Sequence, residues 1–246
     1  MASTKPLAII AGVGPGTGAS VARRFGKAYN IAVLARTSDS YNGIVSEIND
    51  AGGKAVGYNV DVSDEKSVNT AFSRINQELG SAGLAAAVYN VGGKFIRKPF
   101  LEMTGEEFAS GYEANGIGAF NFSKAALPLL LKSTSLQYAP TLIFTGATAS
   151  TKGSASMSSF ATGKFAMRAL SQSLAREFGP QGVHVSHAII DGVIDIPRTK
   201  GWAIGDGKPD AKISADAIAE TYWNLHTQHR SCFTWEIDIR PYVEKW

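Results

Sequence analysis

The chain has a single cysteine, Cys232, so no disulfide framework can form within it. Its four histidines are dispersed and give no Cys/His zinc spacing, so no metal site is expected. No run approaches the roughly 20 apolar residues of a membrane span. The opening MASTKPLAII has no long apolar stretch behind a basic region, so no signal peptide is expected either. Charge of one sign is also scarce. The 24 basic and 21 acidic residues leave a net +3, too small and too scattered for a nucleic-acid or membrane surface. Internal repeats and linker-like stretches are missing. The remaining class is a soluble cytoplasmic protein whose small-molecule chemistry must be sought in local motifs. With 246 residues, 44% of them hydrophobic, the chain can build a substantial core.

Short apolar runs alternate with helical stretches. LAIIA (7–11), IAVLA (31–35), KAVGYNV (54–60), GLAAAVYN (83–90), TLIFTG (141–146), VHVSHAII (183–190) and CFTWEID (232–238) read as strands. Between them lie amphipathic stretches, including a polar helix from Asp64, placed as an N-cap, to Leu79 and a long one near 106–133. This order predicts right-handed βαβ units and a doubly wound, mostly parallel sheet with helices on both faces. One long aperiodic segment, 193–213, reads as a functional or mobile loop.

The first strand runs straight into AGVGPGTGAS. Gly12, Gly14, Gly16 and Gly18 leave the backbone bare where a helix begins, and Thr17 lies among them. Such a turn lets a diphosphate approach the free N–H groups at the helix N-terminus. Arg36 and Thr37 stand at the end of the second strand, where an acid would hold ribose hydroxyls and an Arg would take a 2′-phosphate; they favour NADP, with Asp39 keeping NAD open. SSFATGKFAMRAL (158–170) opens a later helix that Phe165, Leu170 and Leu174 predict to be largely buried. Lys164 lies four residues after Phe160, on the same helical face, and a lysine there is costly unless something holds it.

Across essentially the whole chain, these residues resemble the short-chain dehydrogenase/reductase family. Gly12 to Gly18 are similar to its Gly-x-x-x-Gly-x-Gly loop, and NVDV places Asp61 and Val62 at its adenine contact. YNVGG resembles its Asn-x-Gly segment and sets Asn90 beside the cofactor; EANGIGAFNFSKAALP resembles its central helix, with Asn115 at the catalytic asparagine; GKF places Lys164 as the active-site lysine. The resemblance implies one Rossmann-like domain over residues 1–246, a seven-stranded sheet, a nicotinamide cofactor and a homodimer or homotetramer built on the long helices. It also implies a substrate lid at 193–213 and a nicotinamide carboxamide near Val193 and Ile194, with Ile196 in place of the usual threonine.

The pattern breaks at its acid. Where the family has Tyr-x-x-x-Lys, this chain has Phe160, which has no hydroxyl. Thirteen residues earlier, at the family serine, stands Ala147, with Thr145, Thr148 and Ser150 nearby; Asp191-Gly192 replaces the family Pro-Gly. Lys164, Ser159, Thr148 or Asp191 are candidate substitute donors. The expected activity is atypical NADP-dependent hydride transfer to a small or medium apolar carbonyl, imine or conjugated alkene. The alternative is a redox-silent cyclase, lyase, isomerase or dinucleotide-binding module. Trp235, Tyr242 and Trp246 read as packing or subunit contacts, and Trp202 and Ile204 as lid residues.

Overall fold

A computed structural model describes residues 5–79 and 82–244, so Trp246 and the first four residues lie outside it. Among the described residues, nine strands and seven α-helices follow one another along the chain. The strands are β1 (Leu7–Ala11), β2 (Asn30–Ala35), β3 (Ala55–Asn59), β4 (Leu84–Tyr89), β5 (Thr141–Thr145), β6 (His184–Ile190), β7 (Ile194–Asp195), β8 (Ile213–Ser214) and β9 (Glu236–Ile239). The helices are α1 (Thr17–Gly26), α2 (Asn42–Asp50), α3 (Glu65–Leu79), α4 (Gly105–Tyr112), α5 (Gly118–Leu131), α6 (Ser158–Phe178) and α7 (Ala215–His226).

Seven strands form one parallel sheet in the order β3-β2-β1-β4-β5-β6-β9, and β7 pairs with β8 alone. The sequence expectation of a doubly wound sheet with helices on both faces holds, for a visible reason. In β1, Ala8 and Ile10 join a core with Val21 and Phe25 of α1, Ile44 of α2 and Ile218 of α7. The alternate residues Leu7, Ile9 and Ala11 join a second core with Val68 of α3, Phe122 of α5 and Met167 of α6. A strand buried on both faces must be apolar throughout. Burying each Val, Leu, Ile or Phe fully is worth about 1.5–3 kcal/mol.

The long central helix is interrupted. A π-turn, Glu113–Ile117, separates α4 from α5, where the apolar period alone predicts one continuous helix. Phe165 also departs from expectation. It is 42% exposed, because α6 turns Ser159, Ala161, Gly163, Lys164 and Met167 inward and Phe165 lies on the opposite side. Asp64 does cap α3, its Oδ1 accepting the Lys66 N–H at 2.9 Å.

The strand order reverses direction between β1 and β4. Crevices outside the carboxyl ends of strands at such a switch point are where ligands bind in these sheets. Gly12 follows β1 and Asn90 follows β4, so both lie at this edge.

Candidate active site

The glycine turn is built by close approach. Gly12 has φ +80°, in the region where L side chains are strained, and a Cβ there would lie 2.6 Å from the Asn90 carbonyl carbon. A Cβ on Gly18 would lie 2.6 Å from the Gly12 oxygen. Asn90 latches the two strand ends, its Nδ2–H donating to the Gly12 carbonyl at 3.0 Å. Gly14 is the open point, with nothing within 4 Å of its Cβ position. Gly16 caps α1 without a side-chain hydrogen bond, and the first turn contains no acid; Thr17 is buried. The first-turn N–H groups therefore face a cradle with no side-chain acceptor of their own, and a diphosphate suits them.

Arg36 and Thr37 leave the end of β2 exposed. The Asp61 carboxylate is engaged locally. It accepts the Ser63 hydroxyl at 2.6 Å and the Ser63 N–H at 3.0 Å. Those bonds, with a smaller contribution from the Arg36 charge, hold its pKa below the usual carboxylate value. Val62 lies between α3 and α5, where its carbonyl accepts from Asn121 at 3.0 Å.

Asn115 sits in the π-turn, fully buried. Its Nδ2–H donates to the Gly111 carbonyl at 3.0 Å, and its Oδ1 has no partner among the described residues. α4 and α6 meet backbone to backbone here, since a Cβ on Gly163 would lie 2.1 Å from the Gly111 oxygen. An orphaned buried acceptor at this edge fits a bound group or an ordered water.

Lys164 is 3% exposed, and its ammonium donates to the Thr145 carbonyl at 2.8 Å. Its Nζ lies 5.9 Å from the centre of the Phe160 ring. Burial lowers its pKa to about 7. Phe160 in turn meets Phe95 edge to face, ring centres 5.4 Å apart, and Phe95 is half exposed. The side of the lysine where the family would place a tyrosine hydroxyl is an aromatic wall.

The four candidate hydroxyls separate cleanly. Thr145 is buried against the Tyr222 hydroxyl at 2.8 Å. Ser150 is buried and accepts the Ala147 N–H at 3.1 Å. Ser159 does not face the cleft; it is 1% exposed and donates to the Glu107 and Phe108 carbonyls at 2.7 and 3.0 Å. Thr148 remains part-buried and donates its proton to Asp191 Oδ1.

Ile194 is half-buried in the β7–β8 pair, its carbonyl accepting the Thr199 hydroxyl at 2.5 Å. Ile196 packs over the glycine turn, its Cγ2 lying 2.7 Å from a Cβ position on Gly16. Residues 195–216 form, with α1, an open cavity of about 830 Å³ that Trp202, Ile204, Lys200 and Lys208 help to line. That cavity adjoins Pro15 and Gly16 rather than Phe160, and Lys212 is held by the Thr199 and Lys200 carbonyls at 2.7 and 3.1 Å.

Sequence reasoning missed three groups. Phe95 carries no pattern signal. Nor does Arg240, whose Nη2 reaches Asp191 at 3.1 Å. His187, fully buried in β6, donates its Nδ1–H to the Glu236 carboxylate at 3.0 Å, and Arg168 grips the same carboxylate at 2.7 Å. Burial lowers the His187 pKa to about 4, with Glu236 opposing and Lys164 and Arg168 adding to the shift.

A doubly wound sheet with a glycine cradle at its switch point defines the class: a Rossmann-type dinucleotide-binding protein. The family model for short chain dehydrogenases matches residues 6–203, and the chain belongs to the short-chain dehydrogenase/reductase family. It is 28% identical to L-2,3-butanediol dehydrogenase of Corynebacterium glutamicum, over 88% of this chain and 81% of that protein. A short-chain dehydrogenase from Rhodopseudomonas palustris superposes with a TM-score of 0.79 at 29% identity, over 96% of this chain and 99% of that one. A metagenomic short-chain oxidoreductase in complex with NADP shares the fold, with a TM-score of 0.80 at 22% identity, over 96% and 97% of the two chains. The protein is thus an oxidoreductase-family enzyme for small molecules, on a fold that binds nicotinamide dinucleotides.

Proposed function

We propose that this protein is an NADP-dependent oxidoreductase acting on a small or medium apolar carbonyl, imine or conjugated alkene couple without the family's tyrosine acid. One observation carries the reading. Among the described residues Lys164 is buried without a carboxylate partner, beside an aromatic wall, while the glycine cradle and the Asn90 latch at the same sheet edge are intact. Keeping an ammonium there costs several kcal/mol unless a ligand is held.

The residues divide by what they would hold. Gly12, Gly14, Gly16, Thr17 and Gly18 suit the diphosphate; Asp61 and Val62 the adenine; Asn90 and Lys164 the nicotinamide ribose; Ile194 the carboxamide. Arg36 and Thr37 are exposed at the end of β2, where an Arg would take a 2′-phosphate, which favours NADP over NAD. The bound dinucleotide supplies or accepts the hydride. Phe160 and Phe95 exclude water from the reacting side. Asn115 Oδ1 offers an acceptor to a water that reaches Lys164. Segment 193–213 serves as a lid over the dinucleotide, with Ile196 seated on the glycine turn.

Phe108, Tyr112, Phe120 and Phe165 are exposed on α4, α5 and α6, which supports a homodimer or homotetramer through these helices. No helix among the described residues is long and apolar enough to cross a membrane, consistent with a cytoplasmic enzyme.

The redox-silent alternative also binds dinucleotide. Calorimetry with NADPH and NADH, followed by a screen of ketones, iminium ions and conjugated enals, separates the two. Tight NADPH binding with substrate-dependent loss of its absorbance is expected. Binding with every class inert assigns the fold to non-redox work, and no binding of either dinucleotide removes the proposal altogether.

A further inference from the structure

We infer that Thr148 and Asp191 form a proton-accepting pair that, while Asp191 is ionised, takes up the hydroxyl proton of an alcohol substrate in place of the family's tyrosine. The inference rests on the oxidoreductase reading above and adds the group that carries the proton.

The geometry is specific. Thr148 opens the turn after β5, and Asp191 follows β6, so two neighbouring strands deliver them to the same sheet edge. The turn Thr148–Ser150 packs on α6, the helix of Phe160 and Lys164. Asp191 is fixed from both sides. Its N–H donates to the Ile239 carbonyl at 2.8 Å, and its Oδ2 meets Arg240 Nη2 at 3.1 Å. Its Oδ1 accepts the Thr148 hydroxyl. A carboxylate only accepts, so the Thr148 proton points at Asp191 and the free lone pairs of Thr148 Oγ1 point elsewhere. A hydroxyl in that state can accept a proton from an alcohol but has none to give a ketone oxygen. Thr145, Ser150 and Ser159 offer no competing group, being buried on protein partners.

The step balances. The substrate O–H proton passes to Thr148 Oγ1 as the Thr148 proton passes to Asp191 Oδ1. The carbinol hydrogen leaves with two electrons to the oxidant, an oxidised nicotinamide dinucleotide. The C–O single bond becomes C=O, and Asp191 returns its proton to solvent. Thr148 is catalytic here; Asp191 acts through it as a positioning residue and proton acceptor.

Three variants test this: Thr148→Val, Thr148→Ser and Asp191→Asn, each checked for folding by thermal melting and for NADPH affinity by calorimetry. Each is assayed with oxidised dinucleotide and isopropanol, cyclohexanol and phenylethanol, and with NADPH and the matching ketones. Saturation-transfer NMR compares cyclohexanol with cyclohexanone on the dinucleotide complex. The expected result is turnover of at least one alcohol and stronger saturation of cyclohexanol than of cyclohexanone. Thr148→Val should lose about 100-fold or more in kcat and lose the cyclohexanol preference, while NADPH affinity holds. Thr148→Ser should restore kcat to within about tenfold, and Asp191→Asn should lower kcat with little change in KM. Full activity in Thr148→Val, equal saturation of the two probes, or no turnover of any alcohol overturns the inference. If ketones or enals react while alcohols do not, only the inference falls; if NADPH does not bind, the oxidoreductase reading falls with it.

Discussion

Lys164 ties a single side chain to a measurable pH dependence. Burial lowers its pKa from 10.5 to about 7, so between those values the unfolded chain holds a proton that the folded chain has shed. Stability therefore rises with pH across that window, and the penalty is full below it. Lys164→Met should be more stable than the wild type below pH 7, by an amount of the order of a few kcal/mol, with the gap closing as pH approaches 10.5. Urea unfolding of the two proteins at both ends of the window measures it; a gap independent of pH refutes the assignment. The aromatic wall makes a second prediction. Phe160→Tyr with Ala147→Ser should create ketone reduction by about 100-fold or more, since a positioned acid is worth that much. No gain would mean that the surroundings of Phe160, including Phe95, no longer admit the family geometry.

Elements decide what single residues cannot. β1 ends in a turn that only glycine permits at position 12, because φ is +80° and the Asn90 backbone lies in contact. Gly12→Ala should lower the melting temperature, through about 1–2 kcal/mol of backbone strain plus the clash, and weaken NADPH binding about tenfold or more by calorimetry. β6 carries a pH signature of the same sign as that of α6, in a more acidic window. Its His187 has a folded pKa lowered from 6.5 to about 4, so its contribution is complete above 6.5 and is lost as pH falls through 4. His187→Gln should flatten the acid limb of a stability-against-pH curve, measured by denaturant titration, without changing the limb above 7. The π-turn shows the limit of reading elements from the chain. The apolar period across 106–133 is continuous, yet close backbone packing of α4 on α6 breaks the helix at Asn115.

At the scale of the whole molecule, two apolar cores clamp one sheet, and the aromatic side chains left over lie outside it. Phe108, Tyr112, Phe120 and Phe165 have no place in either core. Phe120→Glu with Phe165→Glu should leave the melting temperature nearly unchanged and shift light scattering toward the monomer. An unshifted mass would place the subunit contacts elsewhere. Most of the architecture was legible beforehand, because each strand had to be apolar on both faces and each helix on one. The glycine cradle and Lys164 were legible through their spacing, and Asn90 through its resemblance to the family's Asn-x-Gly segment. Thr148 and Asp191 were legible only as separate candidate donors; their pairing, with Arg240 behind it, was not, since the three lie in separate segments with no shared period.

The chain by itself determined the strand and helix order, the bare turn after β1 and the loss of a hydroxyl at position 160. Those are properties of residue type and local spacing, which need no partner to exist. Tertiary structure alone decided which of the neighbouring hydroxyls stayed available. Burial tied Thr145 and Ser159 to partners far along the chain and Ser150 to the Ala147 N–H within its own turn, and the ends of β5, β6 and β9 brought Thr148, Asp191 and Arg240 together. Hydrogen-bond satisfaction in a packed interior is settled by contacts between distant segments, and no local pattern encodes it.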